Sequence, residues 1–111
     1  RKIQKVPLKP GKAVRGSNSG RPIMVLLDAL GQRWTLRIIW ELRDGPHTFR
    51  LLQSRCEAVS PTVLNTRLKT LRSLNLVETT STGYALSQQG EALLEKLSPL
   101  NKWSEDWAKT L

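Results

Sequence analysis

The 111-residue sequence has little cysteine, histidine or aromatic content, and these scarcities exclude several classes of protein. The single cysteine, Cys56, cannot form an intramolecular disulfide, and with the single histidine, His47, it cannot build the usual zinc site. A Gly-rich phosphate loop, a nucleophile elbow and the second histidine that a triad would need are also missing. We therefore expect neither an enzyme nor a bound metal or other cofactor.

Long apolar runs are missing as well. No segment approaches the roughly 20 apolar residues that a membrane span requires, and charged residues interrupt the region where a signal peptide would be apolar. Cys56 lies beside Arg55, which could activate a thiol, but a free cysteine is more often a small buried hydrophobe. Because the single cysteine cannot pair within the chain and no membrane-spanning segment is found in the sequence, we expect a cytoplasmic protein.

Acidic residues are missing from residues 1–21, which hold seven of the 18 lysines and arginines. The formal net charge is +9, but residues 22–111 carry only +2, because 11 basic groups there face nine acidic ones. Residues 1–21 are also rich in proline, glycine and serine, which predicts a flexible basic arm. Such an arm either enters a minor groove of DNA or adds non-specific attraction to a polyanion.

Residues 22–111 are predicted to form one domain that begins with helices. Pro22 is a suitable first helical residue, and apolar residues at helical spacing follow as far as Gly31. Residues 33–43 are apolar nearly all round, which is typical of a helix surrounded by others. A short third helix is predicted over residues 49–56.

A fourth helix and a hairpin complete the fold. Ser60 followed by Pro61 is a strong start signal for a helix that runs to about Leu74. Residues 76–80 and 84–86 then predict a β-hairpin, which cannot be stable alone. A hairpin directly after a basic helix indicates a winged helix-turn-helix. The predicted class is mainly α (α+β), a helical bundle with a small two-stranded wing and a long C-terminal dimerisation helix.

The helix that starts at Ser60 has a leucine-framed face and an opposite face that is polar and without acidic residues. Asparagine can bond adenine, threonine can touch a base edge or a thymine methyl, and lysine favours guanine or phosphate. Base contacts are usually made by the N-terminal half of such a helix. We therefore predict base contacts by Thr62, Asn65, Thr66 and Lys69.

The surroundings of this face favour DNA over the alternative of a merely solvated helix. Residues 45–75 hold five basic residues (Arg50, Arg55, Arg67, Lys69 and Arg72) against one acidic residue, Glu57. Phosphate contacts are predicted for residues around the face and at the wing tip: Ser60, Arg50, Arg67, Arg72, Thr80, Ser81 and Thr82.

The C-terminal helix, which Ser87 can cap, is longer than a small winged domain needs for its own core. Pro99 should kink it or begin a second segment capped by Ser98. Its tryptophans pack either inside their own subunit or in a dimer seam, and the seam is favoured because two exposed indoles on a monomer would be prone to aggregate. The predicted dimer interface comprises Ile23, Leu26, Leu27, Leu97, Leu100, Trp103 and Trp107.

From Pro22 to about Trp107 the chain resembles the HxlR-type winged-helix regulators of prokaryotes, distant relatives of the MarR group. The segments that carry the likeness are residues 30–36 (LGQRWTL), Gly45-Pro46 with Phe49, residues 60–71, residues 74–77, residues 84–87 with Gly90, and Trp103. The resemblance implies a homodimer on a palindromic operator in double-stranded DNA. In such a dimer, N- and C-terminal helices clasp the two DNA-reading helices together.

The sequence departs from the family pattern in three places. Arg21 stands where many members carry a cysteine before the first proline, so oxidant sensing is not implied; the wing is short, and the basic arm is not a general feature. The expected function is a sequence-specific, nucleoid-associated transcriptional regulator. The alternative is a winged-helix module that binds protein, RNA or DNA ends without reading sequence. A small-molecule effector is not indicated, although a crevice near the dimer seam would leave room for one.

Overall fold

A computed structural model describes residues 20–111, so the predicted arm lies outside the described residues except for Gly20 and Arg21. The elements of the described part follow one another along the chain as α1 Pro22–Leu30, α2 Thr35–Glu41, α3 Phe49–Arg55, α4 Pro61–Ser73, β1 Val77–Thr80, β2 Gly83–Leu86, α5 Gln88–Leu97 and α6 Pro99–Ala108. This order confirms the predicted winged helix-turn-helix.

Helix α4 has well-defined ends. At its start the Ser60 Oγ accepts a hydrogen bond from the Val63 backbone N–H (3.1 Å), as the Ser-Pro signal predicts. At its end Asn75 adopts the left-handed conformation, with φ of 62°, which asparagine tolerates better than most residues. The Leu76 N–H can then bond back to the Leu71 carbonyl (2.9 Å), which closes the last turn of the helix.

The turn after α4 is fastened to the start of α5. The Ser87 hydroxyl donates to the Asn75 carbonyl (2.7 Å) and accepts from the Gly90 N–H (3.0 Å). Gly90 packs so closely that a Cβ at this position would collide with the Leu76 carbonyl. Helix α4, the hairpin that follows it and α5 are therefore held together as one unit.

The two strands form an antiparallel hairpin, the wing, in which Val77 pairs with Leu86 and Thr80 with Gly83. A third segment borders it, because His47 and Tyr84 exchange two backbone hydrogen bonds of 2.9 and 2.8 Å. Gly83 has φ of 135°, and a Cβ there would collide with the His47 carbonyl. The sequence predicts the hairpin but not this third segment, which fixes the wing to the loop before α3.

One apolar cluster joins α2, α3, α4 and the wing. Its buried members are Ile38, Ile39, Leu42, Leu52, Cys56, Val59, Leu64, Leu68, Leu71, Leu76, Val77 and Leu86. Cys56 is completely buried, and this burial raises the pKa of its thiol. Of the two alternatives for Cys56, the structure therefore shows the small buried hydrophobe.

Helix α2 differs from the prediction in length and in burial. It is shorter than predicted, because Trp34 has a left-handed backbone (φ of 80°) that cannot belong to a helix. It is also not surrounded, since Leu36 is 44% exposed. In α1 the buried residues are Val25 and Ala29, and of the apolar residues at helical spacing Ile23 and Leu27 are exposed whereas Leu26 and Leu30 are half-buried.

The predicted long C-terminal helix is two helices that meet at Pro99. The expectation that Ser98 caps the second helix is wrong. Its φ and ψ (−54° and −40°) are already helical and its N–H bonds to the Leu94 carbonyl (2.7 Å), so its side chain makes no cap hydrogen bond. A capping residue needs an extended backbone to turn its side chain towards the first free N–H groups.

Candidate nucleic-acid interface

Helix α4 separates two kinds of side chain cleanly. Leu64, Leu68 and Leu71 are at most 1% exposed and anchor it in the core. On the opposite side lie the four residues predicted to contact bases, Thr62, Asn65, Thr66 and Lys69, and all four are exposed. The helix contains no acidic residue, so this face offers donors, acceptors and one positive charge to an incoming ligand.

An open cleft of about 550 Å³ lies between the C-terminal half of α4 and β1. Its lining comprises Lys69, Arg72, Ser73, Val77, Glu78 and Thr79. Among the described residues, neither Lys69 nor Arg72 has a carboxylate within 4 Å. The cleft therefore presents two cations that no carboxylate of the described residues pairs with. It also contains one carboxylate, Glu78, which lies outside residues 45–75, the region whose charges were counted above.

The other flank of α4 is tied to the loop between α1 and α2. The Nε of Arg67 donates to the Arg33 carbonyl (2.7 Å) across 34 residues of sequence. Arg67 is half-buried, and part of its guanidinium therefore has a structural role beside the predicted phosphate contact. Arg72 lies five positions later, or about 140° round the helix, so the two arginines border the exposed face on opposite sides.

The N-terminal end of α4 lies close in sequence to α3, which contributes Arg50. Arg50 is exposed in the first turn of α3, whose N-cap is the Thr48 hydroxyl (3.1 Å from the Leu51 N–H). Ser60 is also exposed, and because its Oγ accepts from Val63, its hydroxyl proton can still be donated. Both polar groups are therefore open to solvent.

Arg55 does not belong to this interface. Its NH1 lies 3.2 Å from His47 Nε2, 3.5 Å from Asp44 Oδ2 and 3.9 Å from Glu41 Oε1. The hydrogen bond from His47 (2.9 Å), aided by the charge of Arg55, holds the pKa of the Asp44 carboxyl below its usual value. One of the five basic residues counted in favour of DNA is thus neutralised within the chain.

The one acidic residue in that count is paired as well. Glu57 lies 3.3 Å from Arg37, whose guanidinium also contacts Glu41 (2.7 Å) and the Arg55 carbonyl (2.6 Å). The hydrogen bond to Glu41 raises the pKa of Arg37 above its already high value. This network joins α2 to the end of α3 and pairs both Glu41 and Glu57 with Arg37.

The wing tip is a two-residue loop formed by Ser81 and Thr82, both exposed. The Thr80 hydroxyl accepts from the Thr82 N–H (3.1 Å) and lies 3.1 Å from the Gly83 carbonyl, so it closes the turn. Of the three predicted wing contacts, Thr80 is therefore committed to the loop itself, whereas Ser81 and Thr82 form its outer end.

A second surface is apolar and involves the terminal helices. Five residues of the predicted dimer interface are 49–59% exposed: Ile23, Leu27, Leu100, Trp103 and Trp107. The other two, Leu26 and Leu97, are half-buried. The Trp103 and Trp107 rings stack, with centroids 5.7 Å apart.

A groove of about 280 Å³ separates α6 from α2 and is lined by Leu36, Ile39, Trp40, Leu94, Leu97, Leu100, Asn101 and Ser104. Within a single chain these tryptophans do not pack inside the core.

The described part of the chain, residues 20–111, contains no place where three histidine, cysteine or carboxylate side chains come together as metal ligands would. None of its helices is both long and apolar enough to cross a bilayer.

A helix-turn-helix with an exposed, acid-free second helix and a hairpin beside it defines a winged-helix DNA-binding domain. The chain belongs to the HxlR-like helix-turn-helix family, whose model matches residues 29–111. This confirms the resemblance seen in the sequence, and it makes the protein a helix-turn-helix transcriptional regulator, for which DNA is the ligand. Neither the family nor the relatives below are enzymes.

An uncharacterised HTH-type transcriptional regulator of Methanocaldococcus jannaschii is 26% identical over 88 residues, or 76% of this chain and 83% of that protein. Among solved structures, a possible HxlR family transcriptional factor of Thermoplasma volcanium is 30% identical, with a TM-score of 0.70 over 79% of this chain and 85% of the other. Quinone-bound YodB of Bacillus subtilis is also 30% identical, with a TM-score of 0.69 over 76% of this chain and 96% of the other.

Proposed function

We propose that this protein is a sequence-specific transcriptional regulator that binds a palindromic operator in double-stranded DNA as a homodimer. The observation that carries the proposal is the exposed face of α4, where Thr62, Asn65, Thr66 and Lys69 stand opposite a fully buried leucine frame. A protein of this kind would act at the nucleoid.

The chemistry of this face suits base recognition. The Asn65 amide can donate to adenine N7 and accept from the adenine N6 amino group in the bidentate arrangement, and Lys69 can reach the guanine O6 and N7 acceptors. Thr62 and Thr66 supply a hydroxyl for a base edge and a methyl for thymine. Because no carboxylate lies on α4, the helix itself adds no charge repulsion when it enters the major groove.

Phosphate contacts would position the helix on both sides of the groove. The candidates are the exposed or flanking residues Ser60, Arg50, Arg67, Arg72, Thr80, Ser81 and Thr82. Arg72 suits the wing side, where the cleft beside β1 gives a phosphate access. Because the Thr80 hydroxyl closes the wing turn, we expect the contact at the tip to come from Ser81 and Thr82.

The homodimer is proposed because α1 and α6 expose large apolar side chains that a single chain leaves in water. A symmetric pair would bring together Ile23, Leu26, Leu27, Leu97, Leu100, Trp103 and Trp107. A two-fold axis also presents two copies of α4 to DNA, which requires an inverted repeat with half-sites about one helical turn (34–36 Å) apart.

Selection of bound sequences from a random DNA pool tests the proposal. An enriched inverted repeat with a fixed half-site spacing is the expected result. An enriched single half-site would contradict the homodimer. Uniform binding to unrelated duplexes that modest salt abolishes would contradict sequence reading, and would identify the protein as a non-specific winged-helix module.

A further inference from the structure

The loop between α1 and α2 is held against the flank of α4 that lies away from the wing. The Arg67 Nε donates to the Arg33 carbonyl at 2.7 Å, so the backbone of Arg33 lies beside the DNA-reading helix. Sequence reasoning does not place Arg33 at the interface, because the contact joins residues 34 positions apart.

The side chain of Arg33 rests on a fixed platform. Its guanidinium carbon lies 5.2 Å from the centre of the Trp34 ring, and that ring packs partly against the core cluster. Arg33 itself is exposed. An arginine stacked on an aromatic ring loses less freedom when it binds a ligand than one that moves freely in solvent.

Neither arginine on this flank is neutralised by the described part of the chain. Within residues 20–111 no carboxylate lies within 4 Å of Arg33 or Arg67, whereas Arg37 and Arg55 hold Glu41, Asp44 and Glu57. The side chain of Arg67 is joined to the backbone of Arg33, and both guanidinium groups are left to bind an anion from outside. The Arg67 Nε donates to the Arg33 carbonyl, so the two terminal nitrogens of Arg67 are left to bind that anion.

We propose that Arg33 binds a phosphate of the DNA backbone on the flank of α4 opposite the wing, and that Arg67 positions it there. The inference rests on the proposed function, since the anion is the DNA strand that borders the groove occupied by α4. With Arg72 on the wing side, α4 would then be held between phosphates on both of its flanks.

Arg33→Ala is the test, and Arg43→Ala is the matched control. Arg43 is also exposed and also stacks on a tryptophan, with its guanidinium carbon 4.3 Å from the centre of the Trp40 ring. Trp40 lines the groove against α6, so Arg43 lies on the side of the apolar surface. Both variants therefore remove one positive charge and one cation–π contact, from two different places, and Arg43→Ala also removes a hydrogen bond from the guanidinium to the Trp40 carbonyl (2.9 Å).

The dissociation constant is measured by titration of a fluorescent duplex of random sequence, and of the duplex recovered by selection, between 50 and 200 mM salt. A lost phosphate contact lowers the slope of log affinity against log salt by about 0.9 for each bound protomer. The advantage of the unaltered protein over Arg33→Ala should therefore shrink about 3.5-fold per protomer across this range, equally for both duplexes. Arg43→Ala should keep the original slope, and equal melting temperatures would show that both variants fold.

Equal slopes for Arg33→Ala and Arg43→Ala, in a protein that binds DNA, would overturn the assignment of Arg33 and leave the proposed function standing. A loss confined to the selected duplex would overturn it too, because it would indicate a base contact. If the unaltered protein bound neither duplex, the proposed function would fall together with this inference.

Discussion

Helices α4 and α6 are both amphipathic, yet they expose opposite halves. In α4 the leucine frame is buried and the polar half faces solvent, whereas α6 has no buried residue and exposes Leu100, Trp103 and Trp107. The polar half of α4 needs no protein partner. The apolar half of α6 is left exposed to solvent by its own chain.

The free energy gained by covering the apolar side chains of α6 can be estimated from their surface area. A half-exposed indole that loses about 100 Å² of apolar surface gains about 2.5 kcal/mol at the usual 25 cal/mol per Å². The stacked pair Trp103 and Trp107, together with Leu100, would therefore gain several kcal/mol, before the cost of association, if a second surface covered them. We therefore expect substitutions in α4 to change stability or DNA binding, and substitutions in α6 to change association.

The largest effect is expected from the buried frame of α4. Leu68→Ala should lower the free energy of unfolding by about 2–5 kcal/mol, because it leaves a cavity in the centre of the core. Denaturant unfolding followed by circular dichroism measures the change. The control is Leu111→Ala, whose side chain is 83% exposed and should matter little. Similar losses in both variants would mean that α4 is not anchored as described.

Trp103→Ala should mainly change association. In the proposed seam the substitution removes one stacked indole from each protomer, which should weaken the dimer by at least about 2 kcal/mol, or at least about 30-fold in its dissociation constant. Sedimentation over a range of protein concentrations measures this constant. A mass that stays monomeric at every concentration in the unaltered protein would refute the seam, and a variant as tightly dimeric as the parent would remove Trp103 from it.

Asn65→Ala should leave both folding and association unchanged, since its side chain is exposed on the polar half of α4. Binding to the selected duplex should weaken by about 1–3 kcal/mol, while binding to random duplexes changes little. Gln89→Ala, which removes an exposed amide from α5, is the control in the same titration. Equal losses on both kinds of duplex would show that Asn65 does not read a base.

The smallest effect on stability is expected from the two serines that precede a proline at the start of a helix, Ser60 before α4 and Ser98 before α6. Ser60→Ala should destabilise the fold by about 1 kcal/mol because it removes the N-cap hydrogen bond of α4. Ser98→Ala should change stability by much less, because the Ser98 side chain makes no cap bond. Thermal unfolding of both variants under identical conditions gives the comparison, and equal shifts would contradict the difference in capping.

These two starts also show where sequence reasoning works and where it stops. Ser60 follows a turn, its ψ is 145°, and the local signal is sufficient to predict the cap. Ser98 carries the same dipeptide but continues α5 through its bond to Leu94, so its conformation is set by the residues before it. A local pattern predicts a helix start only when the preceding residues leave the backbone extended.

Contacts between distant residues were beyond prediction for a different reason. The leucine frame of α4 follows from helical spacing alone, and the structure confirms it. The bond from Arg67 to the Arg33 carbonyl, and the ion pairs that remove Arg55 from the interface, depend on how the helices pack. Counting charges along the sequence could therefore indicate a nucleic-acid partner but could not say which arginines remain available for it.

The fastening of Asn75, Ser87 and Gly90 has a mechanical consequence. Because these contacts join the end of α4 and the start of α5 around the wing, we expect α4 to keep its orientation relative to the wing. In the proposed homodimer each protomer would move as a rigid body. The separation of the two copies of α4 would then be set by the interface that α1 and α6 form. The distance between operator half-sites would then be encoded in the apolar packing of the terminal helices, far from any residue that touches DNA.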